Sequence, residues 1–147
     1  NLKKEDSHLV IAGNGIKEEE LKNDFAGKKN IHFVPFQNQQ KMPVLYRMAD
    51  IFVLPSLSET WGLSVNEAMV CGCAMLISNR AGASFDLVKE GENGFCFDPE
   101  NSIDLQDKMT WMMQHKDQVK AWGSASQHII SGWNYTKDGK AIEGLLV

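Results

Sequence analysis

Ile51-Phe52-Val53-Leu54-Pro55-Ser56-Leu57-Ser58-Glu59-Thr60-Trp61-Gly62-Leu63-Ser64-Val65-Asn66-Glu67-Ala68-Met69-Val70 opens with four apolar residues in a row. A strand with one wet face alternates apolar and polar residues. One that is apolar throughout is covered on both faces, as in parallel sheets sandwiched by helices. Pro55 ends the run, Ser56 to Trp61 reads as a loop, and a helix is expected from about Gly62 to Val70. Gly72 is placed to close that helix in a left-handed conformation.

The same alternation extends outward in both directions. Upstream lie an apolar run at His8–Ala12, closed by Gly13-Asn14-Gly15, a charged helix at Lys17–Phe25, and a second run at Ile31–Val34. A helix should open near Met42, since Pro43 suits a first helical position. Downstream come Ala74–Ile77, a short helix capped by Ser84 and carrying Leu87 and Val88, a turn at Gly91–Gly94, and a last strand at Phe95–Phe97. Ser102 should then cap a helix with Leu105, Met109 and Met112 inward, followed by one with Val119, Trp122, Ile129 and Ile130 at helical spacing. Strands alternating with helices predict one parallel sheet with helices on both faces, a Rossmann-like doubly wound α/β fold, with residues 1–147 as one domain. Such sheets bind ligands beyond the carboxyl ends of their strands. The segments to inspect are therefore 13–15, 35–38, 55–64 and 79–84.

Composition agrees with a globular domain. Of the 147 residues 43% are apolar and 23% charged, and the net charge of −4 argues against nucleic acid as a partner. No apolar run approaches the ~18 residues of a membrane span. Cys71, Cys73 and Cys96 are an odd number without secretory features, which points to reduced thiols and a cytoplasmic location. Cys71 and Cys73 lack two further ligands for zinc, and His8, His32, His115 and His128 are scattered along the chain, so no metal is expected. The chain starts at Asn1 without a methionine and reads as an excerpt.

In the opening stretch, one carboxylate, Glu59, falls in the strand-to-helix loop and a second, Glu67, inside the helix, with seven residues between them. Gly62 allows close approach to the backbone. The N–H groups of Trp61 to Ser64 lie at a helix start, at its positive end, an arrangement that suits a phosphate. A purely local reading competes for Glu67: Ser64-Val65-Asn66-Glu67 is a capping-box pattern. Glu59 alone would be a solvated loop residue, and Gly13-Asn14-Gly15 lacks the third glycine of a dinucleotide fingerprint.

The segment resembles the Glu-x7-Glu motif of retaining glycosyltransferases of the GT-B fold, large family 4. The likeness continues through Tyr46–Ser56 before it and Glu67–Gly72 after it. It is carried further by Gly82, Asp86, Gly91, Asn93 and Gly94, and by Trp133-Asn134-Tyr135-Thr136. This resemblance implies the C-terminal, donor-binding half of a two-domain enzyme acting on a nucleotide-diphosphate sugar, with no metal or other cofactor. Glu67 would accept hydrogen bonds from the ribose hydroxyls. Glu59, the catalytic carboxylate, would sit near the transferred sugar, touching its hydroxyls or stabilising charge near the anomeric carbon. Trp61, Gly62, Leu63 and Ser64 would hold sugar and diphosphate, and Phe36 and Gln37 would lie beside the base.

Pro35 stands where the family has glycine, Ala74 where it often has proline, and Asp86 where glutamate is common. The family's diphosphate-gripping Arg and Lys would lie upstream of Asn1, as would an acceptor domain of roughly 100–200 residues. The isolated chain is expected to be inactive, and a membrane-surface acceptor would be met through that other domain at the inner face. Competing readings are another GT-B sugar-nucleotide enzyme, such as an epimerase or glycogen-type synthase, and a noncatalytic flavodoxin-like module. A phospho-receiver domain of that last kind would need an acidic cluster at strand ends and a Lys after a late strand, and the strands ending at Ala12, Leu54 and Ile77 offer no such cluster. Past Tyr135, the closing helix is expected to present an apolar stripe of Tyr135, Ile142 and Leu146.

Overall fold

The structure, a computed structural model, describes residues 7–133. The chain divides into two compact units, residues 1–44 and 45–147. In the first, β1 (Leu9–Ala12), α1 (Glu18–Asp24) and β2 (Ile31–Val34) form a βαβ unit. The strands run parallel, with Leu9 beside Ile31 and Ala12 beside Val34. Glu18, Glu19 and Glu20 occupy the first turn of α1, where negative charge complements the helix dipole. None of residues 7–44 is buried.

A second α-helix, α2 (Met42–Met48), spans the boundary between the units. Beyond it lie β3 (Ile51–Leu54), α3 (Leu63–Val70), β4 (Ala74–Ser78), α4 (Gly82–Leu87), β5 (Gly94–Phe97), α5 (Ser102–Gln114) and α6 (Lys116–Ser131). The three strands form a parallel sheet in the order β3-β4-β5, with Ile51 beside Ala74 and Met75 beside Gly94. All five residues of the central β4 are buried, which accounts for its unbroken apolar run. Ala74 and Leu76 pack with Phe97, Met112, Val119 and Trp122 into the main core. Within it Phe95 stands edge-on to Trp122, and Trp111 stacks on Trp122 with ring centroids 5.3 Å apart.

Helix α6 buries Val119, Trp122, Gly123, Ser126 and Ile130, one apolar-to-small stripe at helical spacing. Gly123 lies so close to the turn after α3 that a Cβ there would collide with the Gly72 carbonyl. That turn is a Schellman motif: Cys73 N–H donates to Ala68 O and Gly72 N–H to Met69 O, with Gly72 at φ +89° as the pattern requires. Tryptophan and glycine on one helix face thus set how near α6 comes to the sheet.

Mixed α/β architecture with parallel strands is as the sequence predicts: within the first unit β1 pairs with β2, and within the second the order is β3-β4-β5. Two local expectations are corrected. Helix α5 is capped by Asn101, whose Oδ1 accepts from Ile103 and Asp104 N–H, one residue before the expected Ser102. Helix α4 starts at Gly82, with Ala81 at the cap position and no side-chain cap, and Ser84 lies inside it. The stripe beyond Tyr135 lies outside the described residues.

Candidate functional site

The carboxyl end of β3 leads into the loop that carries Glu59. This loop is tied to the one after β4 by a continuation of the parallel pairing. Glu59 N–H donates to Arg80 O at 3.2 Å, Gly82 N–H to Glu59 O at 3.1 Å, and Ala83 N–H to Trp61 O at 2.9 Å. Gly82 is required by this closeness, since a Cβ would strike the Thr60 carbonyl. Gly62, at φ +97°, then turns the chain into α3 from the cap position, without a side-chain cap. Its left-handed backbone is one that other L-residues adopt only at a cost.

Within this loop the half-buried Glu59 folds back, its Oε1 accepting from Trp61 N–H at 3.3 Å. One of the backbone donors expected to face a ligand is therefore engaged by the first carboxylate of the motif. The N–H groups of Leu63 and Ser64 lie in the first turn of α3, where no preceding turn supplies acceptors. Trp61 is fixed by its indole N–H, which donates to Asn66 Oδ1 at 2.9 Å, and its ring lies 5.8 Å from that of Trp133.

Glu67 lies in the middle of α3, about one helical turn past the end of Glu59's loop. The capping-box alternative is not realised: Gly62 is the cap, and Ser64 is already helical. The exposed Glu67 instead accepts at Oε2 from the Tyr46 hydroxyl at 3.1 Å. Tyr46 is 5% exposed; burial first, and the Glu67 bond second, push its phenol far above the ordinary value. It is thus a neutral donor at any physiological pH. Tyr46 reads in the sequence only as a helix-face residue. The signal for a further role was its hydroxyl, which a buried tyrosine must satisfy.

Glu59, Trp61, Gly62, Leu63, Ser64 and Glu67 are therefore gathered on one loop and one helix. Phe36 and Gln37 follow β2 in the other unit, where Phe36 is exposed and Gln37 Nε2 donates to the Pro35 carbonyl. Among the described residues no group of three or more His, Cys, Asp or Glu is placed to hold a metal ion. Burial pushes the Cys73 thiol up to about 12 and that of Cys96 to about 11, so both remain thiols at neutral pH. Asn93, fully buried, accepts from Lys89 N–H and donates to Leu87 O, shaping the turn into β5. No helix among the described residues is long and apolar enough to cross a membrane.

Sequence and structure comparisons extend this picture. The family described as glycosyl transferases group 1 matches residues 1–129. The sulfoquinovosyl transferase of Arabidopsis thaliana is 30% identical over 125 residues, covering 83% of this chain and 24% of that protein. The D-inositol 3-phosphate glycosyltransferase of Rhodococcus opacus is 27% identical over 122 residues, covering 82% of this chain and 27% of that protein. Among solved structures, HepE of Anabaena in complex with UDP superposes with a TM-score of 0.80 at 23% identity, over 95% of this chain and 40% of that one. The chain thus spans roughly a quarter of the length of these two curated relatives, and the likeness to HepE is one of fold.

Proposed function

This chain belongs to the glycosyl transferases group 1 family, and on that premise we propose that it binds the nucleotide-diphosphate sugar donor of a retaining glycosyltransferase. The observation that carries the reading is the pairing of Glu59 and Glu67 on either side of the α3 start, with Gly62 between them at φ +97°. Ribose hydroxyls would donate to Glu67, whose Oε2 is already steadied by Tyr46, leaving Oε1 for the diol. Diphosphate and sugar would meet the N–H groups of Trp61 to Ser64, displacing Glu59 from Trp61 N–H and turning its carboxylate toward the sugar. Charge developing at the anomeric carbon is what such a carboxylate stabilises. Phe36 and Gln37 would border the base.

Sugar transfer also needs an acceptor, which is assigned to the part of the protein outside this chain. The 147 residues alone would bind donor weakly and transfer nothing. Neither metal nor cofactor is assigned to the donor site. The protein is proposed to work in the cytoplasm, with an acceptor at the inner membrane face among the options. HepE, whose structures carry UDP and UDP-glucose, supplies the first probe.

Titration of the full-length protein with UDP-glucose, and with GDP- and ADP-glucose in parallel, tests the donor class. In Glu67→Ala, loss of a charged acceptor should cost roughly 1.5–3 kcal/mol of binding, about a 10- to 150-fold weaker Kd. A lower melting temperature with unchanged donor affinity would remove the ribose role. The anomeric configuration of the product, read by NMR, tests retention separately.

A further inference from the structure

His8 and His32 stand far apart in the sequence, yet the first unit brings them together. Pairing of Val10 with His32 places His8, two residues before Val10, diagonally across from His32 on the same face of the two-stranded sheet. The backbone on either side of His8 is fixed: Leu9 N–H donates to Asn30 O at 2.8 Å, and Asn30 Nδ2 donates to Ser7 O at 3.2 Å. The outcome is a contact of 2.9 Å between His8 Nδ1 and His32 Nε2. The ring planes are 28° apart and their centroids 5.2 Å apart, so the rings meet nitrogen to nitrogen at their rims and do not overlap face to face. Both residues are exposed.

We propose that His8 and His32 form a two-histidine site for a divalent transition-metal ion of the copper(II) or nickel(II) type. Two nitrogens 2.9 Å apart are spaced as neighbouring ligands around one ion. With metal–nitrogen bonds of about 2.0–2.1 Å, that separation subtends an angle of about 90°, the angle of square-planar and tetragonal sites. In the metal-free pair one ring donates a hydrogen to the other. Binding requires the tautomers in which both facing nitrogens are bare, with the hydrogens on His8 Nε2 and His32 Nδ1. That exchange changes no net charge, and each exposed ring has room to tilt until its lone pair meets the ion.

Ligand chemistry sets the selectivity. Imidazole suits copper, nickel and zinc, whereas magnesium, calcium and manganese favour oxygen ligands. Copper(II) should bind most tightly, with nickel(II) and zinc(II) weaker. Among the described residues no third His, Cys, Asp or Glu completes a cluster, so water would fill the remaining positions. The site would exchange its ion readily, unlike a closed structural zinc site. It involves none of the residues assigned to donor binding and stands or falls independently of that assignment.

The test titrates copper(II) chloride into untagged, chelator-stripped chain in a non-coordinating buffer. Calorimetry gives the affinity, and electron paramagnetic resonance counts the coordinating imidazole nitrogens. The double variant His8→Ala/His32→Ala provides the background from His115, His128 and surface carboxylates. Wild type is expected to bind one equivalent about 100-fold more tightly than either His8→Ala or His32→Ala, as expected when an intramolecular second ligand is lost. Its spectrum should show two imidazole nitrogens. Circular dichroism of the variants, both altered at exposed positions, verifies their fold. Wild-type affinity equal to that of the double variant, or unchanged affinity in either single variant, overturns the proposal.

Discussion

The two units use the same grammar, parallel strands joined by helices, with opposite results. In the second, β4 is buried along its whole length between β3 and β5. In the first, Leu9 and Val10 of β1 are 42% and 46% exposed, although the strand is as apolar as β4. A strand's pattern declares what it can bury, and its neighbours decide what it does bury. Parallel strands gain stability chiefly from cover on both faces. In the second unit α5 and α6 pack over Ala74 and Leu76. Met75 and Ile77 on the alternate face are fully buried as well, and the loop with Glu59 and Gly62 is hydrogen-bonded to the chain that follows β4. Among residues 7–44 the hydrogen-bonded ladder has no comparable core behind it.

Paired core truncations are the strongest way to break this contrast. Trp122→Ala should cost about 3–5 kcal/mol, because Trp122 is 2% exposed at the heart of the core. Phe33→Ala, at a half-buried position of β2, should cost only about 1 kcal/mol, about half the value of full burial. Urea unfolding of both variants measures the difference, and equal losses would show that the first unit is as tightly held as the second.

Gly62→Ala asks whether the loop belongs to the framework. The left-handed backbone should cost about 1–2 kcal/mol, and Leu54 Cδ2, 3.1 Å from where the new Cβ would lie, must also yield. Thermal denaturation reads the sum; an unchanged melting temperature would mean that the loop is decoupled from β3.

A smaller effect is expected from Tyr46→Phe. Loss of the hydroxyl's bond to the exposed Glu67 should lower stability by about 0.5–1.5 kcal/mol, and donor affinity should fall less than in Glu67→Ala. Equal losses of affinity would make Tyr46 itself a donor contact. The smallest effect concerns a flaw in the second unit: Ser126 Oγ is buried without a hydrogen-bond partner. Ser126→Ala should therefore raise stability, by up to about 1 kcal/mol. Destabilisation on calorimetric unfolding would mean that the hydroxyl is satisfied in solution.

Local features of the fold were legible where one residue type has one reason to be present. Ala74-Met75-Leu76-Ile77 could only be a strand covered on both sides, and Gly72 does close α3 as expected. Elements separated in sequence were harder. Nothing in a strand's own residues states which strand it pairs with, and the Tyr46–Glu67 bond joins residues 21 positions apart. His8 and His32 look scattered until strand register aligns them. Neighbouring cap candidates such as Asn101 and Ser102 differ too little in chemistry for sequence to choose. The Glu59–Glu67 segment was the opposite case: its spacing, glycine and helix start lie within nine consecutive residues, so local chemistry alone brought them together.

The placement of the four tryptophans gives the molecule two separate optical reporters. Trp122 lies in the core and the partly buried Trp111 stacks on it, so their near-ultraviolet signal and emission follow the integrity of the sheet and its covering helices. Trp61, hydrogen-bonded to Asn66 and beside the half-exposed Trp133, sits on the loop that begins α3. A molecule settling on that loop would change the surroundings of Trp61 and leave the stacked pair undisturbed. Occupancy and folding could thus be followed in a single cuvette, from the protein's intrinsic fluorescence and without an added label.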